Sequence, residues 1–593
     1  MPEPVLIAAA WPYANAEIHV GNLTGSYLPA DICARYHRLR GRQVLMVSGS
    51  DSHGTPITVR ADAEGITPLE VYKRFHEGFL DLFLKMGLTY DLFTSTHTAN
   101  HFDVSQKIFL ALKQNGFLYK DSEMQWYASS LGRFLPDRYV EGTCYICGYE
   151  NARSDQCDRC GNLLEPGKLI NPRSKIDGTQ PELRATEHYY LDLGKVEPDV
   201  VAFLEARESY WRPNVLRQSL GQIKAVGLRG RPITRDLEWG IPVPIEGWEE
   251  KCLYVWFEAV IGYLSATIEW CKINGMPDEW RTWWHNPESK SFYFIGKDNI
   301  PFHAIIWPAE LIGLRDTFDE MMGKSWKEPF VLPYDVPANE FMNLEGQKIS
   351  GSRNWAVYGR DFLERYDPDP LRYYLTVNMP ESKDTDWSWE DFLNRNNDEL
   401  VATWGNLVNR VLSFAYKNWD GVVPEPGELQ AADKEVLEKV EAGFETVARE
   451  LEAVRLRAAL GEAMGLATEV NKYLDQAAPW KAVKIDKEAA GRSIYTALRA
   501  IDSLKVLFSP FLPFTSEMLH TYLGYSGQLY GEQRVEVQKD ELGEHTVLRY
   551  DPEKATGEWK PSALKPGQKL QQPQPLFKKL DKSIIDEERT RLG

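Results

Sequence analysis

His19, Gly21 and Asn22 close the segment VLIAAAWPYANAEIHVGN, residues 5–22, in which an apolar strand runs through a Trp-Pro-Tyr turn into a helix start. That is a nucleotide site in outline. A buried parallel strand delivers its next loop to the carboxyl edge of a sheet, and a helix beginning there directs free backbone N–H groups at phosphate. Gly21 lets phosphate approach the backbone and His19 can donate to a phosphoryl oxygen; the plainer alternative is a histidine at a helix start. Asp51, in Gly49-Ser50-Asp51-Ser52-His53-Gly54-Thr55-Pro56, falls just beyond a second buried strand at the same edge. A carboxylate there can hold a substrate ammonium, or cap a turn.

Cys144-x2-Cys147 and Cys157-x2-Cys160 are separated by nine residues, with Gly148 and Gly161 directly after the pairs. Each pair can offer two thiolates to one ion, and the glycines free backbone N–H groups to approach sulfur, which predicts one closed tetrahedral zinc site. Iron in a four-cysteine site, or two redox dithiols, are the alternatives. A closed site has no open position for substrate, so its role is structural.

These residues need a frame. The 593 residues should hold about four domains by length alone. A net charge of −18 excludes a protein that coats nucleic acid, so any RNA contact must come from local patches. No apolar run reaches the roughly 20 residues of a membrane span, and MPEPVLIAAAWPY lacks a basic n-region, so a cytoplasmic protein without membrane contact is expected. Seven cysteines, four of them clustered, suit a metal in a reducing compartment better than disulfides.

Up to about Gly116, strand-like runs (VLIAAA; Val44 to Val47) alternate with amphipathic stretches, the pattern of a doubly wound parallel α/β sheet. An irregular region holding the cysteines follows, to about Lys251. The α/β pattern then returns with Phe292-Tyr293-Phe294-Ile295 as a strand, Gly296-Lys297-Asp298 as its turn and Pro301 as a helix start, so an insertion splits one nucleotide-binding fold. Beyond about Asp391 the periodicity is helical: Leu400, Trp404, Leu407, Val411 and Phe414, then Leu437, Val440, Phe444, Val447, Leu451 and Val454. From about Asp551 a linker ending in a short helix near Asp581 to Arg591 is expected. Asn406 and Arg410, spaced i, i+4, project from one helix rim, and Pro479-Trp480 begins another helix; an exposed Trp can stack on an unstacked base while Asn and Arg bond its edges. Singly, each reads equally as a surface polar pair or a buried Trp.

His19-Val20-Gly21-Asn22 resembles the His-Ile-Gly-His signature of class I aminoacyl-tRNA synthetases, and Pro12-Tyr13-Ala14-Asn15 looks like its methionyl version. Asn22 stands where the signature has its second His. Gly346-Gln347-Lys348-Ile349-Ser350-Gly351-Ser352-Arg353 resembles the Lys-Met-Ser-Lys-Ser loop, with Gly351 in place of the second Lys.

The resemblance implies a split Rossmann-type nucleotide-binding domain with a zinc-knuckle insertion, followed by an α-helical bundle. In residue terms it implies a catalytic first half over 1–116, a connective insertion over 117–251 and a catalytic second half over 252–330. A stem-contact region with the KISGS loop would span 331–390, an anticodon-binding bundle 391–550, and a linker and helix 551–593. His19, Gly21, Asn22, Gly296, Lys297, Asp298, Lys348, Ser350 and Ser352 are then expected to bind ATP with Mg²⁺, and His19, Asn22, Lys348, Arg353 and Arg235 to act in catalysis.

Trp11, Tyr13, Asp51, Trp256, Ala259, Tyr263, His303 and Trp307 match methionine-pocket positions, with Tyr13 and His303 as weak donors to a thioether. Glu258, Val260 and Trp11 depart from the residues usual there. Asn406, Arg410, Pro479 and Trp480 match anticodon-reading positions. The expected activity is formation of methionyl-adenylate from methionine and ATP, then transfer to tRNA(Met), by a monomer carrying one structural Zn²⁺. A non-catalytic RNA- or nucleotide-binding paralogue, motivated by Asn22 and Gly351, and a synthetase for another apolar amino acid are the rival readings.

Overall fold

A computed structural model describes residues 2–136, 139–154, 157, 159–160, 164, 166–326 and 328–593. Its centre is a parallel sheet in which Pro4–Ala9 lies between Gln43–Ser50 and Lys290–Gly296, with Ile7 opposite both Met46 and Phe292. Leu92–Ser95 extends it on one side and Ala338–Asn339 on the other. All six residues of Pro4–Ala9 are buried. Val5, Ile7 and Ala9 join one apolar core and Leu6 and Ala8 another, because a strand alternates its side chains and helices cover both faces. Leu28–Leu39 and Pro68–Met86 pack on the first face, and Ala99–Gln114 and Val255–Ile273 on the second.

The sheet is split as expected: its fourth long strand comes almost two hundred residues after Leu92–Ser95. Between them, Leu118–Ala128 pairs antiparallel with Glu182–Leu191, and a small sheet of Val140–Thr143, Ala152–Arg153 and Ile170–Ser174 carries the cysteine region. The second half keeps its strand Ala338–Asn339 past residue 330, since two residues are too few to show a period.

The helical region is built from Arg395–Gly405, which runs on into Asn406–Asn418, and from Ala431–Glu452, Leu456–Ala477, Lys487–Phe508 and Pro513–Tyr522. The bundle does not run to residue 550. Glu532–Asp540 and Gly543–Asp551 form an antiparallel hairpin that adds to the catalytic sheet beside Leu92–Ser95, with Leu548 opposite Phe93. In its first strand exposed Val535, Val537 and Lys539 alternate with half-buried Glu536, Gln538 and Asp540, a period of two, and its partner strand is distant in sequence.

Residues after Asp551 are not a free linker either. Trp559 N donates to Leu39 O at 2.8 Å and Leu570 N to Gly421 O at 2.7 Å, and Leu564, Leu570, Leu576 and Phe577 are buried. Apolar residues spaced without a helical or strand period in Pro-rich chain gave no sequence signal for this packing. The expected terminal helix is present as Ser583–Arg589.

Buried Arg372 joins the parts. Its guanidinium donates to Asp31 Oδ2 at 2.7 Å in the catalytic half and to the carbonyls of Pro510 and Phe511 in the bundle, both at 2.9 Å. A buried charge so fully bonded is costly to break, about 3–5 kcal/mol when one partner is removed. No helix among the described residues is long and apolar enough to cross a membrane.

Candidate active site, metal centre and bundle rim

A cavity of about 520 Å³ opens at the carboxyl edge of the parallel sheet. Trp11, Tyr13, His19, Gly21, Asn22, Asp51, Trp256, Ala259, Tyr263, Gly296, Asp298, His303 and Lys348 line it, together with Gly351 of the basic loop. The strand ends Ala9 and Ser50 and the loop after Gly296 converge there, as a doubly wound sheet requires.

At one end, His19 is the N-cap of the turn Val20–Asn22; its Nδ1 accepts the Asn22 N–H, so the ring proton resides on Nε2. Burial lowers its pKa to about 4 and keeps it a neutral donor. The Asn22 side-chain oxygen accepts the His19 N–H, which leaves the amide NH₂ as its remaining donor. At Gly21 a side chain would come within 3.0 Å of the His19 ring and 3.1 Å of Ile349, so glycine allows the basic loop to close on the turn.

At the other end, Asp51 is buried and its Oδ1 has no hydrogen-bond partner. Burial, then the nearby Glu258 charge, push its carboxyl well above the usual range, opposed by a bond from the His53 backbone. Such a group awaits a cation. Glu258 is itself buried, held by His53 Nδ1 at 2.7 Å and His101 Nε2 at 2.8 Å. This His–Glu–His support was missed from sequence because its members are 205 and 157 residues apart; His53, two residues after Asp51, was the available signal.

The walls between these ends are aromatic. Trp256 stacks on Phe302 with centroids 4.5 Å apart and meets the Tyr13 ring edge-on at 5.6 Å. Trp11 lies between Gly49 and Gly262, where a Cβ would come within 2.2 and 2.6 Å of its ring. The departure at Trp11 is accommodated by those two glycines.

Tyr263 Oη and His303 Nε2 are 2.7 Å apart, and His303 Nδ1 lies 3.0 Å from the Asn299 carbonyl. The carbonyl can only accept, so Nδ1 carries the proton and Nε2 accepts from Tyr263. Burial lowers the His303 pKa to about 4. Its single proton is spent on Asn299, so the expectation of a His303 donor to a thioether fails.

Several expected residues stand elsewhere. Trp307 does not line the cavity; it is wholly buried, with Nε1 donating to Tyr293 Oη at 3.2 Å and its ring against Trp284. Helical spacing placed it below His303, but the second turn faces the core. Lys297 is outside the lining, its ammonium bound to Glu340 at 2.7 Å and Asp384 at 2.9 Å. Ser350 pairs through its backbone with Trp355 and Arg353 is exposed on the loop, neither reaching the cavity. The side chain of Ser352 lies outside the described set.

Arg235 lines a second cavity of about 440 Å³, with its guanidinium 4.1 Å from the Tyr254 ring centre. Tyr13 and Trp256 line both cavities, so Arg235 stands behind that wall, on the side of the insertion.

The four cysteine sulfurs of Cys144, Cys147, Cys157 and Cys160 all lie within 4.8 Å of one another, with Cys147 and Cys157 at 3.6 Å. Four sulfurs around zinc at the usual bond length stand about 3.8 Å apart, so the set fits that ion. Ile146 N points at Cys144 Sγ at 3.4 Å, and Gly148 takes φ +72°, which only glycine adopts without strain. Gly161 lies outside the described residues.

On the bundle, Arg410 stacks its guanidinium 4.6 Å from the ring centre of half-buried Trp480 and bonds Asp475 at 3.0 Å. Asn406 is exposed one turn earlier on the same helix, and Pro479, which precedes Trp480, is buried.

A family model described as "tRNA synthetases class I (M)" matches residues 5–412, and one for the anticodon binding domain of methionyl tRNA ligase matches 423–547. The chain is 53% identical over 594 residues to the methionine–tRNA ligase of Thermomicrobium roseum, covering all of this chain and 99% of that one. It is 50% identical over 593 residues to that of Dehalococcoides mccartyi, covering both fully. The solved methionyl-tRNA synthetase of Mycobacterium tuberculosis bound by methionyl-adenylate shares the fold at TM-score 0.74 and 23% identity, over 98% of this chain and all of that one. The chain therefore belongs to the methionine–tRNA ligases of the class I aminoacyl-tRNA synthetase family.

Proposed function

We propose that the first cavity activates methionine. Its ammonium binds Asp51, its thioether side chain lies among Trp11, Trp256, Ala259 and Tyr263, and ATP lays its phosphates between the His19–Asn22 turn and Lys348. The observation that carries this reading is Asp51 Oδ1, buried without a partner in the cavity that also opens on His19.

In the reaction a methionine carboxylate oxygen attacks the α-phosphorus and the bond from that phosphorus to the bridging oxygen of pyrophosphate breaks. The protein makes no covalent bond; it aligns the reactants and meets charge on the leaving group. Neutral His19 donates from Nε2, Asn22 from its amide, and Lys348 supplies a cation once the loop closes. Mg²⁺ bound with ATP offsets polyphosphate charge, and Asp298 is a cavity carboxylate of the type it takes. In the second step a ribose hydroxyl of the tRNA terminal adenosine attacks the carbonyl carbon, the bond from that carbon to the phosphate oxygen breaks, and the hydroxyl proton passes to the departing phosphate of AMP. The second cavity, beyond Tyr13 and Trp256 and bearing Arg235, is the approach for that end.

Asn406, Arg410, Pro479 and Trp480 are proposed to read the anticodon, by stacking and edge hydrogen bonds. The cysteine site is proposed to hold one structural zinc. Methionine-dependent exchange of pyrophosphate into ATP, followed by charging of tRNA(Met), tests the whole: a protein that binds RNA but shows neither reaction is the inactive paralogue.

A further inference from the structure

The phosphate loop is bracketed at both ends by left-handed backbone. Glu345 (φ +47°) and Gly346 (φ +75°) turn the hairpin between Met342–Leu344 and Gln347–Lys348, and Asn354 (φ +51°) ends the turn after Arg353. A glutamate is disfavoured at such a position, and asparagine less so, so contacts must hold the turn. Glu345 N donates to Trp387 O at 2.8 Å and its Oε1 accepts Trp389 N at 3.0 Å. Its Oε2 accepts Arg589 Nη2 at 2.9 Å, across 244 residues. At the other bracket, Gly593 N donates to Asn354 O at 3.2 Å. One segment thus touches both ends of the loop that carries Lys348.

That segment is anchored independently of the loop. Glu588, buried on the helix Ser583–Arg589, takes a two-pronged bond from Arg365 (2.7 and 2.8 Å) and a third from Tyr366 Oη at 2.9 Å. Upstream, Asn397 exchanges a pair of bonds with Leu580, both at 2.9 Å, and Asn396 donates to Lys578 O at 3.0 Å. Ile584 is buried in the same core as Trp389 and Phe392. The helix therefore has a fixed position from which Arg589 can hold a strained turn.

We propose that Arg589 is a positioning residue of the phosphate loop: through Glu345 it sets the hairpin that presents Lys348 to the polyphosphate. This rests on the methionine-activation reading above. The strap touches neither Asp51 nor the aromatic wall, so its effect belongs to the ATP end of the cavity and not to methionine binding.

Pyrophosphate exchange with methionine is measured for the full chain and for Arg589→Ala and Arg589→Lys, with thermal melting and amide hydrogen exchange of residues 345–354. In Arg589→Ala the exchange kcat is expected to fall about tenfold, as small misplacements of a catalytic group do. The methionine KM should stay unchanged, the loop amides should exchange faster, and Arg589→Lys, which keeps the single bond to Glu345, should recover most of the rate. An unchanged kcat in Arg589→Ala overturns the proposal, as does a loss matched by a raised methionine KM and a lowered melting point and not recovered by Arg589→Lys. Wild-type protein with no exchange would instead overturn the activation reading, while the loop amides still report whether Arg589 holds the turn.

Discussion

Asn22 and His19 cap one another: the Asn22 amide donates to His19 Nδ1 at 3.3 Å while the His19 amide donates to Asn22 Oδ1 at 3.1 Å. The backbone N–H of the residue that replaces the second histidine of the family signature holds the ring of the first, and its side chain caps the backbone of the first. Asn22→Ala keeps the backbone N–H that holds the His19 ring but loses the side-chain oxygen that caps the His19 N–H and the side-chain NH₂ aimed at phosphate, so it should cost about 1 kcal/mol of stability, the usual loss for a cap, and slow pyrophosphate exchange through the lost donor. Asn22→Asp keeps the cap but adds a negative charge beside the polyphosphate, so it should melt like wild type and raise the ATP KM. Melting and exchange kinetics on both variants separate the two roles; an Asp variant with unaltered ATP dependence would remove Asn22 from the phosphate site.

The Asp51 carboxyl is pushed up by burial and by Glu258, so in the empty cavity it tends to hold its proton. An ammonium needs the carboxylate. Methionine binding should therefore release a proton, and the methionine KM should fall as pH rises, up to the point where the amino group of the substrate itself deprotonates. Asp51→Asn should raise that KM roughly 10²-fold or more and flatten the profile, since a buried ammonium loses its countercharge. Steady-state kinetics over that range decide; a flat wild-type profile would mean that Asp51 is already ionised in the empty site.

Four sulfurs within 4.8 Å require a metal or an oxidant. Elemental analysis of protein purified without chelator should give about one zinc per chain. Cys157→Ser should lower that content and the melting temperature, because metal binding energy is folding energy for a small core such as that around Cys144 and Cys157. A metal-free wild-type protein with two disulfides would reverse this.

Arg410 over Trp480 presents a planar cation and an aromatic ring at one place on the bundle rim. Trp480→Ala should reduce tRNA charging by about 1–3 kcal/mol in kcat/KM, the worth of one stacked base, and leave pyrophosphate exchange nearly unchanged. Equal losses in both reactions would make Trp480 a packing residue.

What could be read from sequence followed the range of each contact. The cysteine pairs act within a few residues, so spacing exposed them, His19 and Asn22 were legible only through the resemblance of their segment to a signature, and the bundle helices repeat their apolar residues at helical period. The hairpin Glu532–Asp551 was misread because its partner, Leu92–Ser95, lies more than four hundred residues earlier. Trp307 shares the helical spacing of His303, yet the packing of Trp284 against it draws it into the core. The partners that hold His53 and Glu345 lie as far off: Glu258 reaches His53 across 205 residues, and Arg589 reaches Glu345 across 244.

The basic loop lacks the second lysine of its signature, and the geometry ranks the cations that remain. Lys348 lines the cavity, with its ammonium 5.6 Å from the Phe341 ring centre. Arg353 is exposed and lies along the loop, Nη2 reaching toward Lys348 O at 3.4 Å. Lys297 is bound to Glu340 and Asp384, so it meets phosphate only if those bonds exchange. Losing a well-placed cation from a transition state costs a few kcal/mol, or roughly 10²-fold in rate. Lys348→Ala should therefore slow methionine-dependent exchange by about that factor with little change in ATP binding, and Arg353→Ala should slow it less, its side chain lying along the loop outside the cavity. Gly351→Lys should be tolerated, since the nearest atom to an added Cβ is Tyr358 Oη at 3.4 Å, and should recover part of the rate lost in Arg353→Ala. Rapid exchange untouched by Lys348→Ala would assign the leaving-group charge to Lys297 and Mg²⁺, and Lys297→Ala would then carry the loss.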